Sequence, residues 1–198
     1  MFFETFVSQE QRNVEVIAPG CPNPPYPFHQ ANPRLGAPIT VIKIGGPSDG
    51  TITIQGTISA TPESFDLFKQ GVESYWNKVV VAAGVNLTID VQLTRDLLLG
   101  AVDLSMPIEP LPSGTTPTPE NCGQFDYAER EMIVRRALGC TVSSVSAHEM
   151  GHWLKFADAY DKEDEVLPIA IFHCDPEDIM ALGDEVKWYH GLLLWERL

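Results

Sequence analysis

Residues 146–161 read SAHEMGHWLKFADAYD. His148 and His152 stand four apart, and Glu149 directly follows the first. In an α-helix, residues four apart differ by about 40° around the axis and roughly 6 Å along it, so both imidazoles can aim at one point. Zinc takes imidazole nitrogen at about 2.0–2.1 Å, so one helical turn offers half a tetrahedral Zn2+ site. Glu149 lies about 100° around from His148, placed to hold a water on the ion without ligating it. The spacing therefore predicts a metal helix with His148 and His152 as ligands and Glu149 as a base. Chance gives such a match in roughly one chain in a hundred of this composition. The plain alternative is a surface helix with two solvated histidines.

The flanking sequence predicts an α+β fold around that helix. Thr141, Ser143 and Ser144 offer caps for a helix running to about Phe156. REMIVRRAL (130–138) predicts a strand around Met132–Val134. Thr61 and Pro62 suit an N-cap and first helical position. Phe65, Phe68, Val72, Tyr75, Trp76 and Val79 then follow at spacings of three and four, the apolar face of a backing helix. LTIDVQL (87–93) alternates as a strand does, with Leu87, Ile89, Val91 and Leu93 on one side. ITVIKI (39–44) and TITIQGTI (51–58) flank the turn GGPSDG and predict a hairpin. NVEVIA (13–18) is a further strand candidate, and LPIAIF (167–172) a short apolar strand or buried segment. Residues 158–165 read as an acidic loop, and Asp184 as the cap of a last helix over 185–198. The proline-rich stretch 19–38 predicts an extended arm, and 105–123 a long loop inserted within one domain. A single domain over 1–198 is expected, with a mixed sheet, a backing helix and an active-site helix.

Composition narrows the partners. Twenty-seven acidic residues against 13 basic ones give a net charge of −14. Such a surface repels nucleic acid and anionic membranes. No run approaches the roughly 18 apolar residues of a membrane span. The start, MFFETFVSQEQRN, has no basic segment followed by an apolar stretch, so no secretory signal is expected. Cys21, Cys122, Cys140 and Cys174 are widely spaced and contain no C-x-x-C pair, which argues against a zinc ribbon or thioredoxin-type site. They allow two disulfides in three connectivities, or free thiols.

The run His148-Glu149-x-x-His152 resembles the H-E-x-x-H signature of zincin metallopeptidases. A catalytic zinc needs a third protein ligand. In metzincins the pattern extends to H-E-x-x-H-x-x-G-x-x-H, sometimes ending in Asp. Asp158 matches that last position, but Lys155 stands where the glycine would let the chain leave the helix sharply. CDPEDIMALG (174–183) resembles the metzincin Met-turn, with Met180 beneath the site. In gluzincins a glutamate from a later helix completes the site. Glu196 shares a predicted helix face with Leu192, Leu193 and Tyr189, so it is expected to point inward, where a metal would offset the cost of burying it. The order of preference is Glu196, then Asp158, then Glu185. Tyr189 or His190 could donate to a developing oxyanion; His173 is a weaker ligand candidate, and His29 has no visible partner.

The string HEMGHWLKFADAYD, with CDPEDIMALG and the WERL terminus, is similar to the C-terminal metallopeptidase domain of evolved VgrG spike proteins of the type VI secretion system. The likeness in motif residues covers about the last quarter of the chain. It implies a zinc-dependent endopeptidase with ligands His148, His152 and Glu196 and with Glu149 as general base to a zinc-activated water. It also implies an antibacterial effector exported without a signal peptide and acting in the target periplasm. Its partners would be a protein or peptide substrate, the rest of the spike and an immunity protein. A different class of function is a binding or adaptor module closed around a structural zinc, for which Cys140, His173 or Cys174 would have to supply a further ligand.

Overall fold

Isoleucine and threonine alternate through the first hairpin. Ile39–Ile44 (β1) pairs antiparallel with Gly50–Ser59 (β2), Ile39 opposite Gly56 and Ile44 opposite Thr51. Gly45, at φ 91°, takes the left-handed conformation that opens the turn. The computed structural model describes residues 39–82, 84–97, 101–117, 119–126, 129–156, 177–180 and 183–197. The NVEVIA strand, the proline-rich arm, the acidic loop and LPIAIF lie outside them. So do His29, Asp158, His173, Cys21 and Cys174.

The backing helix, Pro62–Trp76 (α1), begins as its sequence predicts, with the Thr61 hydroxyl accepting from Ser64 N at 3.2 Å. Phe65, Phe68, Val72 and Trp76 are buried. Val79, expected on the same face, is instead exposed on a strand, Lys78–Ala82 (β3). The helix ends where Asn77 turns its side chain to the sheet and accepts from Val91 N at 2.6 Å. Consecutive β-branched residues, Val79 to Val81, then favour extended chain.

Val85–Arg95 (β4) buries Leu87, Ile89, Val91 and Leu93 on one face, as its alternation requires. Val102–Ser105 (β5), Gly123–Asp126 (β6) and Glu131–Val134 (β7) complete the sheet. Residues 106–117 carry no helix or strand, and the expected proline-rich loop ends in a short helix, Pro119–Cys122 (α2). Among the described residues the strand order is β3-β4-β2-β5-β7-β6, with β1 also on β2. β2 runs parallel to β4 and β5, and β5 to β7, whereas β6 closes one edge antiparallel to β7. The fold is α+β with a mixed sheet.

One sheet face is polar: Gln55 Nε2 donates to Gln92 Oε1 at 3.1 Å, and the Thr57 and Thr94 hydroxyls meet at 3.4 Å. The other face carries the core beneath α1, Val142–Trp153 (α3) and Trp188–Arg197 (α4). Trp153 seats α3 on β2, where a Cβ on Gly56 would overlap its indole. A disulfide joins Cys122, before β6, to Cys140, before the Thr141 N-cap of α3. The last helix starts later than expected. Asp184 does not cap it; Glu185 instead bridges to Asp178, with Ile179 N donating to Glu185 O at 2.8 Å.

Candidate metal centre

Helix α3 is buried along most of its length. Val145, Ala147, His148, Glu149, Met150, Gly151 and Trp153 are covered, and His152 is half-buried. This removes the alternative of a surface helix with solvated histidines. From α1, Trp76 Nε1–H donates to the Ala147 carbonyl at 2.9 Å, fixing the turn that carries His148. Beneath the next turn lies Met180, fully buried, where a Cβ on Gly151 would overlap its Sδ. Met180 thus packs against Gly151, the residue before His152.

Both rings are held from behind. His148 Nδ1–H donates to the Ile179 carbonyl at 2.7 Å, and His152 Nδ1–H to the Phe156 carbonyl at 3.0 Å. A carbonyl only accepts, so the hydrogens belong on the two Nδ1 atoms. The two Nε2 atoms are then acceptors, and they face each other at 3.1 Å. Two lone pairs that close repel unless a proton or a metal ion lies between them. Nitrogens at about 2.05 Å from one tetrahedral ion would be about 3.3 Å apart, close to the spacing seen. His148, Glu149 and His152 offer ligand atoms within 4.8 Å of one another and could hold a metal ion. Two imidazoles with a carboxylate beside them suit a divalent ion of borderline softness.

Glu149 is 1% exposed. Its carboxylate lies against β6: a Cβ on Gly123 would overlap Oε1 and come within 2.7 Å of Cδ. Gly123 therefore makes room for the carboxylate beside β6. The adjacent disulfide holds the start of β6 to the start of α3.

Helix α3 ends without the glycine of the metzincin pattern. Lys155 adopts φ 72° at the position where the metzincin pattern has Gly. Phe156 N donates to Gly151 O at 2.9 Å and Lys155 N to His152 O at 2.7 Å. These are the two bonds of a Schellman cap, with Lys155 as its left-handed residue. The helix stops at Trp153, three residues short of the expected end, and the sharp exit is made by lysine. It brings the Phe156 carbonyl back to His152.

The proposed third ligands are placed differently. Glu196 is expected to face inward, but it is exposed on the last turn of α4 and is not part of the histidine cluster. Burial on that helix runs through Gly191–Leu194 and fades at Trp195. Glu185 is also exposed, and its hydrogen bond and charge interaction with Lys187 hold its carboxyl below the usual range. Asp158 lies outside the described residues. Cys140 is oxidised to Cys122 and offers no thiolate to a closed zinc site.

Tyr189 and His190 do not stand open as oxyanion donors. They are 1% and 0% exposed and grip Asp178, whose role the sequence reading missed. Burial raises the Asp178 carboxyl pKa, but the adjacent His190 and the bonds from Tyr189 and Met180 outweigh it, so the net shift is downward. Only its place beside the apolar pair Ile179-Met180 hints at burial in the sequence. No protein-family model, curated protein or solved structure matches this chain.

Proposed function

We propose that the chain is a zinc-dependent metallopeptidase built on a zincin-like fold. The observation that carries this reading is the pair of Nε2 atoms facing at 3.1 Å, with both Nδ1 atoms occupied by carbonyls and the Glu149 carboxylate beside them. A structural site has no use for the acid at 149. It also cannot draw on Cys140.

When bound, the ion supplies a Lewis acid that lowers the pKa of a water towards about 7. Glu149 takes the proton from the attacking water and later delivers it to the leaving amine. Its buried setting, beside Gly123 and away from bulk solvent, keeps the carboxylate in one place. Among the described residues β6 is the outer strand of the sheet next to this carboxylate. An outer strand offers backbone N–H and C=O groups to an extended peptide, which supports a peptide as substrate. We assign the third ligand to Asp158. Support comes from its match to the last position of the metzincin pattern and from the exposed positions of Glu196 and Glu185.

The same proposal extends to the setting implied by the VgrG resemblance, an effector domain acting in the target periplasm. The Cys122–Cys140 disulfide favours it, because such bonds persist in oxidising compartments. The test is metal analysis with a general protease assay on wild type and Glu149→Gln. Wild type should carry zinc and cleave; Glu149→Gln should carry zinc and not cleave. A cleaving Glu149→Gln, or a wild type that binds no metal, defeats the reading.

A further inference from the structure

Behind the histidines lies a buried polar cluster that the hydrolytic chemistry does not use. The Asp178 carboxylate, 1% exposed, accepts the Tyr189 hydroxyl on Oδ2 and Met180 N–H on Oδ1 at 2.7 Å. His190 Nε2 lies 3.3 Å from Oδ1. The other nitrogen of that ring, Nδ1, accepts Lys187 N–H at 2.9 Å, so the ring hydrogen sits on Nε2, the nitrogen nearer Asp178. His190 thereby also closes the first turn of α4, reaching back to the N–H of the residue before it as a capping-box side chain does. Burying a carboxylate is costly, and this one is met by donors from two segments of the chain.

Both carbonyls that hold the histidines adjoin this cluster. Ile179, which accepts from His148, follows Asp178 directly and is tied on its other side to Glu185 O at 2.8 Å. Phe156, which accepts from His152, sets its ring edge-on to His190, with centroids 4.8 Å apart and planes at 89°. Trp76 packs against Phe156 and His190 at 6.0 and 5.8 Å and donates to the residue before His148. The cluster thus adjoins both carbonyl-bearing residues, which come from elements far apart in sequence.

We propose that Asp178 is a positioning residue of the metal centre: held by Tyr189 O–H and Met180 N–H, it fixes the Ile179 carbonyl that orients His148 and, by packing beside His190 and Phe156, steadies the carbonyl that orients His152. This rests on the metal reading above. Groups that orient metal-bound histidines commonly govern affinity by about 10–100-fold.

The test compares zinc affinity by chelator competition, and the visible spectrum of the cobalt(II)-loaded protein, in wild type, Asp178→Asn and Tyr189→Phe. Asp178→Asn keeps the shape but turns an N–H2 towards one of the donors, and should bind zinc about 10–100-fold more weakly with an altered cobalt spectrum. Tyr189→Phe removes one hydrogen bond and should weaken binding about tenfold; it decides the matter if Asp178→Asn does not fold. Ile52→Val, a core truncation on β2 that removes no hydrogen bond, shows how far lost stability alone moves affinity. If the folded variants bind zinc within about twofold of wild type with an unchanged cobalt spectrum, the positioning role is wrong. A wild type that binds neither ion overturns the metal reading itself, and this inference with it.

Discussion

Lys155 gives the sharpest test of how the chain leaves the metal helix. A side chain at φ 72° is strained, and the left-handed conformation costs an L-residue about 1–2 kcal/mol. Glycine escapes that cost but gives up about 0.5–1 kcal/mol through its freer unfolded chain. Lys155 makes no ion pair among the described residues, so little else is lost. Lys155→Gly should therefore stabilise the metal-free protein by about 0.5–1 kcal/mol, or raise Tm by about 1–4 °C. Lys155→Ala keeps the strain and should be near neutral. Lys155→Pro fixes φ near −65° and deletes the N–H that donates to His152 O at 2.7 Å, a loss of about 3 kcal/mol or more. Because it also moves the Phe156 carbonyl, it should weaken metal binding. Urea unfolding of the metal-free proteins, read by tryptophan fluorescence, measures the series. A Lys155→Gly protein less stable than wild type, or a harmless Lys155→Pro, would refute the left-handed cap.

Three other outcomes are expected. Gly123→Ala drives a methyl into the Glu149 carboxylate, so kcat/KM on a general peptide substrate should fall roughly 100-fold while zinc content is unchanged; equal activity would show that the carboxylate tolerates displacement. Removing the Cys122–Cys140 bridge, whose cysteines are separated by 18 in sequence, should cost about 3 kcal/mol by loop-closure entropy, measured by denaturation of the double serine variant. The lowered pKa of Asp178 makes the fold acid-sensitive. Its contribution is present above the unfolded carboxyl pKa of about 3.9 and is lost as pH falls through the lower folded value. Urea midpoints of the metal-free protein should fall below about pH 4, and Asp178→Asn should flatten that dependence.

What could be read from the sequence was local. His148, Glu149 and His152 lie within about one helical turn, so their convergence needs only the helix repeat. Thr61-Pro62 marks α1 because a cap is also local. Alternation over Leu87–Leu93 was long enough to show a period of two. The short strands β5 and β6 give too few positions to show one, and pairing with neighbours decides them. Glu196 shows a different limit: periodicity names a helix face but not what covers it, and cover runs out at the end of α4. Lys155 shows a third, since the missing glycine argued against a turn that the tertiary contacts of Phe156 nevertheless impose. Asp178 was hidden among the acidic residues of CDPEDIMALG because its donor Tyr189 and its neighbour His190 come from the next helix.

X-ray absorption at the zinc edge of the loaded wild-type protein probes the central claim most directly. The account predicts one zinc per chain, with two imidazole nitrogens at about 2.0–2.1 Å, oxygen in the remaining positions and no sulfur. A sulfur shell near 2.3 Å, fewer than two imidazoles, or a protein that takes up no zinc would contradict it.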